Sequence, residues 1–281
     1  MTELIAERLG NAQQDALTNK QLDRYSIRRR LGRGGMSVVY EAIDTANDSK
    51  VALKMMSHRL VNSATALHRF QLEADMIEGF DHPHIVSMYG RFAAFRTYFI
   101  AMEYCAGETL AQYIERSGPM NEASFRHAFR QLASPLCHAH DAGVIHRDLK
   151  PSNVMRLPDR TLKLMDFGLA EPIETGAISD GEVVGTPRYM APEQRVGDAV
   201  DERADYFSLG CVAYEMITGS QLFTRSILHE LIRDFRNWQP PDFARLETPL
   251  TAETASMLQP MLAVDPGDRR VALRAISSWS E

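Results

Sequence analysis

Leu31-Gly32-Arg33-Gly34-Gly35-Met36-Ser37-Val38-Val39 joins two strand-like runs through a glycine-rich turn. Without Cβ atoms in the way, backbone N–H groups in such a turn can close over phosphate oxygens. The same glycines also suit an ordinary hairpin. Because the turn lies between strands rather than between a strand and a helix, it does not fit a dinucleotide-binding fingerprint. Downstream, Val51-Ala52-Leu53-Lys54 places a lysine after three apolar residues of an alternating strand. That ammonium either pairs with phosphate oxygens or faces water, as most strand lysines do. In the helical stretch that follows, Glu73 and Glu78 flank the apolar stripe on opposite sides. Either carboxylate suits Lys54, and helical periodicity does not choose between them. The densest set of reactive side chains is Ile145-His146-Arg147-Asp148-Leu149-Lys150-Pro151-Ser152-Asn153, followed by Leu164-Met165-Asp166-Phe167-Gly168.

Elements must hold these groups in place. From Tyr25 to Tyr104 short runs (YSIRRRL, SVVYEAI, KVALKMM, TYFIAMEY) are rich in β-formers and bounded by Gly, Asp, Asn or Ser, which predicts an antiparallel sheet. One helix interrupts it at about residues 63–79, where Leu67, Phe70, Ala74 and Ile77 share a face. From Leu110 onward helical patterns dominate, apart from the strand-like TLKLMDF and a loop-rich stretch at about 169–195. The expected fold is α+β and bilobal, β-rich then α-rich. At 281 residues, with 44% apolar and 24% charged side chains, the chain has the composition of a soluble globular protein. Its net charge of 31 − 37 = −6 is spread without a basic block, so nucleic acid is not an expected partner. No run of about 18 apolar residues suggests a membrane span, and the start lacks a signal-peptide pattern. Cys105, Cys137 and Cys211 are too scattered for a metal site or disulfide framework, which points to reduced thiols in the cytoplasm.

The glycine turn, the strand lysine, His146-Arg147-Asp148 with Asn153, Asp166-Phe167-Gly168 and Ala191-Pro192-Glu193 follow the order of the protein-kinase signature. The chain resembles the eukaryotic-type (Hanks-type) Ser/Thr protein kinases, and Gly34-Gly35-Met36-Ser37 is most similar to their bacterial members. Asp205 and Arg269 match further landmarks of that family, and the likeness implies an extension at 1–22, a kinase domain at 23–275 and a tail at 276–281. Within the domain the lobes fall at about 23–104 and 107–275. The likeness favours Glu73 over Glu78, since Glu73 lies nineteen residues after Lys54 in a Phe-x-x-Glu-Ala context.

The resemblance implies transfer of the γ-phosphoryl of ATP to Ser or Thr hydroxyls of proteins, the chain itself included. Lys54, held by Glu73, would grip the α- and β-phosphates, and Asn153 and Asp166 would bind Mg²⁺ or Mn²⁺. Asp148 would accept or orient the substrate proton, and Lys150 would stabilise charge on the γ-phosphate. Residues 31–37 would cover the nucleotide. Val39 and Ala52 would roof the adenine, Met155 would floor it, Glu103 to Cys105 would form the hinge, and Met102 would be the gatekeeper. Lys150 two residues after Asp148, with Gly185-Thr186-Pro187-Arg188-Tyr189, is the Ser/Thr form of these segments. Arg147 marks kinases whose activation loop is ordered by phosphorylation, with Thr175, Ser179 and Thr186 as its hydroxyl-bearing residues. Apart from the likeness, Asp180 and Glu182 read either as a solvated acidic loop or as a partial substitute for phosphate against Arg147. Glu193, Asp205 and Arg269 would be structural.

Ser37 replaces the family's third glycine, as bacterial relatives tolerate, and about twelve residues follow Arg269, as in a bare catalytic domain. A pseudokinase scaffold is disfavoured because Lys54, Glu73, Asp148, Asn153 and Asp166 are all present. A small-molecule phosphotransferase is disfavoured by Ala191-Pro192-Glu193. Analogy with the bacterial relatives also raises a homodimer through the β-rich lobe.

Overall fold

The structure, a computed structural model, describes residues 17–34, 37–167, 171–172, 187–224, 238–277 and 279. It divides into two compact units, Met1–Ala74 with Ser87–Tyr104 and Asp75–Val86 with Cys105–Glu281.

In the first unit, alternating β-branched and aromatic residues build an antiparallel sheet of β1 (Gln21–Leu22), β2 (Tyr25–Arg33), β3 (Ser37–Asp44), β4 (Ser49–Met56), β5 (Met88–Ala94) and β6 (Thr97–Glu103), in the order β1-β2-β3-β4-β6-β5. The period of two sorts side chains onto two faces. Ile27, Tyr40, Leu53, Met55, Phe99 and Ala101 bury one of them. Met56 and Ile100 point the other way, against Phe70 and Ala74 of α1 (Ala64–Glu78). Ser63 Oγ accepts the Ala66 N–H at 3.3 Å and so starts this helix where its apolar stripe begins.

Two features were not legible as strands. Leu17 and Leu22 fall in the segment expected to be an extension, yet both are buried in the sheet's core, and β1 pairs with β2 through Gln21↔Ser26 and Leu22↔Tyr25. Scattered apolar residues in a polar stretch show no period, and only the partner strand gives them one. In β5 a register shift between Met88 and Gly90 interrupts the alternation that would have announced a strand.

β5 and β6 are joined by Phe95 and Arg96, both with left-handed backbones (φ 48° and 58°) although neither is glycine or asparagine. Such two-residue turns favour Asn-Gly, because each side chain with a Cβ is strained there. His58 Nε2 donates to the Phe95 carbonyl at 3.0 Å and helps hold the turn. Arg96→Gly is expected to raise stability by about 0.5–1 kcal/mol, strain relief exceeding the added freedom of the unfolded chain. A lower thermal midpoint in the variant would refute this.

The second unit contains α2 (Leu110–Ser117), α3 (Glu122–Asp141), α4 (Pro192–Val196), α5 (Arg203–Thr218), α6 (Ala252–Leu258) and α7 (Leu273–Ser277). Short strands β7 (Glu108–Thr109), β8 (Val144–Ile145), β9 (Val154–Arg156), β10 (Leu162–Leu164) and β11 (Glu171–Pro172) form two small sheets, β10-β9-β7 and β11-β8. β7 can approach β9 only because residue 107 is glycine, since a Cβ there would lie 2.1 Å from the Arg156 carbonyl oxygen. Thr109 and Gln112 cap α2 reciprocally, and Asn121 caps α3. α5 is apolar nearly all round, as suits a helix enclosed by others. A Cβ on its Gly210 would sit 2.8 Å from Leu262 and 2.9 Å from Met261. Trp279, in the expected tail, is buried, with Arg126 stacked 4.2 Å from its ring. Among the described residues, no helix is long and apolar enough to cross a membrane.

Candidate active site

Strand register gathers one group of the expected residues in the first unit. Residues directly opposite each other in antiparallel strands point to the same face. Val39 pairs with Lys54 and Ala52 with Met102, and alternation along β4 puts Ala52 beside Lys54. Val39, Ala52, Lys54 and Met102 therefore share the face that carries α1. Lys54 is buried and its Nζ donates to Glu73 Oε1 at 2.5 Å, whereas Glu78 is exposed. A buried ammonium without such a carboxylate would be costly, so the pair fixes both side chains. Leu31, Gly32, Arg33 and Gly34 are exposed at the end of β2, and the Gly34 N–H donates to the Ser37 carbonyl at 2.8 Å. Gly35 and Met36 lie outside the described residues. Glu103 ends β6, and its Oε2 accepts the Ser87 N–H at 3.2 Å.

The second unit carries a separate group of expected residues. Asp148 Oδ2 accepts from Lys150 Nζ at 2.6 Å and from Asn153 Nδ2 at 3.1 Å, and the same Nδ2 also donates to the Asp148 carbonyl at 3.0 Å. With both amide hydrogens committed, Asn153 Oδ1 is the atom left to take a cation. The Met165 N–H donates to the Asn153 carbonyl at 3.0 Å, which ties the Asp166 segment to this loop. His146 makes a second tie. Its Nδ1 accepts the Asp148 N–H at 3.3 Å, so Nε2 carries the proton and donates to the Met165 carbonyl at 3.2 Å. The Phe167 ring packs 4.6 Å from His146 and 5.3 Å from Phe80. Asp166 itself has a left-handed backbone at φ 62°. Cys105 is half-buried, and Met155 on β9 pairs with Thr109 and Lys163.

What holds the loop is Asp205 on α5, with no exposed surface. Its carboxylate accepts the His146 N–H and the Arg147 N–H, each at 2.9 Å, and His140 Nε2 at 2.8 Å. Burial pushes this carboxyl up, but the bonds and charge of His140, with His146, outweigh burial and hold it below its ordinary 3.8. The sign for stability follows: a depressed carboxyl contributes fully above its unfolded pKa and loses that contribution as pH falls through the folded value. Below about pH 4 the native chain is therefore expected to lose stability more steeply than Asp205→Asn. Parallel acid titrations of the two would refute this.

Arg269 has a wholly enclosed side chain that uses all five donors. Nη1 and Nη2 meet Glu193 Oε1 and Oε2 at 2.6 and 2.8 Å, Nε reaches the Ala263 carbonyl at 2.7 Å, and the remaining two hydrogens meet the Arg203 and Val264 carbonyls at 3.0 Å each. Sequence reasoning did not single out Gln194, which receives the Ala191 N–H at 2.9 Å and donates to the Arg147 carbonyl at 3.2 Å. Half of a capping box was visible there, with Pro192 at the helix start and Gln194 two residues on. His140 carried no such signal. Arg147 is buried with φ 64°. Thr175, Ser179, Asp180, Glu182 and Thr186 lie outside the described residues. Among the described residues no three His, Cys, Asp or Glu side chains converge as a metal cage.

The chain belongs to the family described as "Protein kinase domain", which it matches over residues 25–279. Among its relatives, serine/threonine-protein kinase pkn3 of Myxococcus xanthus is 34% identical over 90% of this chain and 46% of the relative. Serine/threonine-protein kinase PknB of Mycobacterium tuberculosis is 36% identical over 88% of this chain and 41% of the relative. PrkC of Bacillus subtilis is 36% identical over 70% of this chain and 30% of the relative. The chain thus spans less than half the length of these curated relatives.

Proposed function

We propose that the chain transfers the γ-phosphoryl group of ATP to serine and threonine hydroxyls of proteins, itself among them. The observation that supports this best is the half-buried carboxylate of Asp148, aimed by Lys150 and Asn153 and backed by the His146 ring. Bound Mg-ATP supplies an activated phosphoryl group and charge neutralisation. Asp148 orients the acceptor hydroxyl and takes its proton, while Lys150, held 2.6 Å away, is placed to offset charge developing on the transferred group. Lys54 holds phosphate oxygens and is itself aimed by Glu73. Asn153 Oδ1 and the Asp166 carboxylate are hard oxygen donors that suit Mg²⁺ or Mn²⁺, and two protein ligands are enough when phosphates and water complete the shell. Val39, Ala52, Met102, Glu103, Cys105 and Met155 are assigned to the nucleotide's base. Lys150 and the relatives' names favour Ser/Thr over Tyr. The free thiols Cys105, Cys137 and Cys211 suit a reducing compartment such as the cytoplasm.

The test is incubation with γ-labelled ATP and either metal, with and without a generic protein acceptor, followed by phosphoamino-acid analysis. Label on serine or threonine is expected. Label confined to tyrosine, or none despite measurable ATP binding, would overturn the reading.

A further inference from the structure

Val39, Glu41 and Ile43 share one face of β3, opposite Lys54, Ala52 and Lys50 of β4, and Glu41 is the one carboxylate among these six. An apolar residue would pack as well at this position, and a buried carboxylate is costly unless it is paired. Glu41 is buried, and its two oxygens gather partners from three other stretches of the first unit. Oε2 accepts from Arg29 Nε of β2 at 2.8 Å and from the Tyr104 hydroxyl at 3.3 Å, and Oε1 takes Lys50 Nζ of β4 at 3.2 Å. Burial pushes the Glu41 carboxyl up, but Lys50 and Arg29 outweigh burial and hold it below its ordinary 4.5. The same two cations also reach Tyr104. Arg29 Nη2 stands 3.5 Å from its hydroxyl and Lys50 Nζ 5.4 Å from its ring centre. Each contact to Tyr104 is long for its kind, so what fixes this side chain is their convergence.

Tyr104 follows directly on β6, whose end is tied to the sheet by the pairing Val51↔Glu103 and by the Glu103 N–H, which donates to the Ser87 carbonyl at 2.8 Å. From Tyr104 the chain runs on to Cys105. On the assignment of Glu103 and Cys105 to the nucleotide's base, we infer that Glu41 is a positioning residue for nucleotide binding, which holds residues 103–105 in shape through the Tyr104 hydroxyl. Fixing that backbone before the base arrives spares the cost of ordering it on binding, a gain in affinity rather than in the chemical step. The partners of Glu41 named here, Arg29, Lys50 and Tyr104, are outside the groups assigned to phosphoryl transfer.

The test is equilibrium titration of the whole chain with Mg-ADP, beside steady-state transfer to a generic protein acceptor. Tyr104→Phe removes only the hydroxyl and Glu41→Leu removes its acceptor. Each is expected to raise the Kd for ADP and the KM for ATP by about fivefold, the scale of one hydrogen bond to a charged group partly open to water. The kcat is expected to stay within about twofold of native. Both changes break the same link, so the double variant should bind ADP within about twofold of Glu41→Leu alone, whereas a general loosening of the sheet by Glu41→Leu would add to the effect of Tyr104→Phe. Tyr104→Phe carries the test alone if Glu41→Leu impairs folding. Unchanged ADP affinity in the variants, multiplied losses in the double variant, or a fall in kcat equal to the rise in KM would overturn the inference and leave the proposed function standing. A native chain that binds no adenine nucleotide would overturn both.

Discussion

Asp148→Asn is expected to lower the rate of phosphoryl transfer by about 10³-fold, within the range supplied by a positioned general base, while leaving ATP affinity within about twofold of the native value. The asymmetry follows from what Asp148 touches. Its Oδ2 collects Lys150 and Asn153, both donors. An asparagine of the same shape still offers one oxygen to Lys150, so the loop stays formed, but it can neither take a proton nor balance the ammonium. Lys54 and Glu73, proposed to hold the nucleotide, belong to the other unit and are untouched. Single-turnover transfer and equilibrium nucleotide titration, measured side by side, decide the matter. A variant keeping more than about a tenth of native transfer would remove Asp148 from the chemistry.

The largest expected effect on stability is at Arg269. Arg269→Ala leaves Glu193 buried without its partner and strips three backbone carbonyls of a donor, which is expected to cost about 3–5 kcal/mol. Domains of ordinary stability have about 5–15 kcal/mol in all, so the loss should appear as a large fall in the denaturant midpoint. Arg269→Lys should not restore it, because an ammonium has three donors and cannot reproduce a planar five-donor fork. A loss below about 1 kcal/mol would mean that the surroundings close over the gap or that water replaces the guanidinium.

Local rules accounted for much of this architecture and failed at identifiable places. The strands at 25–33, 37–44, 49–56 and 97–103 and the helix at 64–78 announced themselves through β-formers, alternation and a single apolar stripe. Periodicity could not separate Glu73 from Glu78, since both flank that stripe. Burial separates them, and burial depends on the sheet face beneath the helix. Leu17, Leu22 and Trp279 looked like residues of an extension and a tail because nothing adjacent in sequence gives them a partner. Leu22 finds Tyr25 only once a strand pairs back on it, and Trp279 packs on Arg126 and Phe129, about 150 residues away. The order of the motifs pointed to the reactive residues through likeness to a family. The supports, Gln194 and His140, were hidden, since a side chain that aims another residue's backbone leaves no mark on spacing. Asp205 was a named landmark, but its three bonds could not be read from the sequence.

The loop bearing Asp148 has its position dictated by a carboxylate on α5, a helix packed so closely that residue 210 has no room for a methyl group. The position of the Asp148 loop is thereby coupled to close packing around Gly210, five residues along the helix from Asp205. Gly210→Ala would leave every reacting group intact yet tilt the platform beneath them, and its phenotype should be conditional: near-native turnover in the cold, early collapse on warming. A heat-sensitive allele could thus be made by adding a single carbon atom to a residue that touches none of the proposed reacting groups.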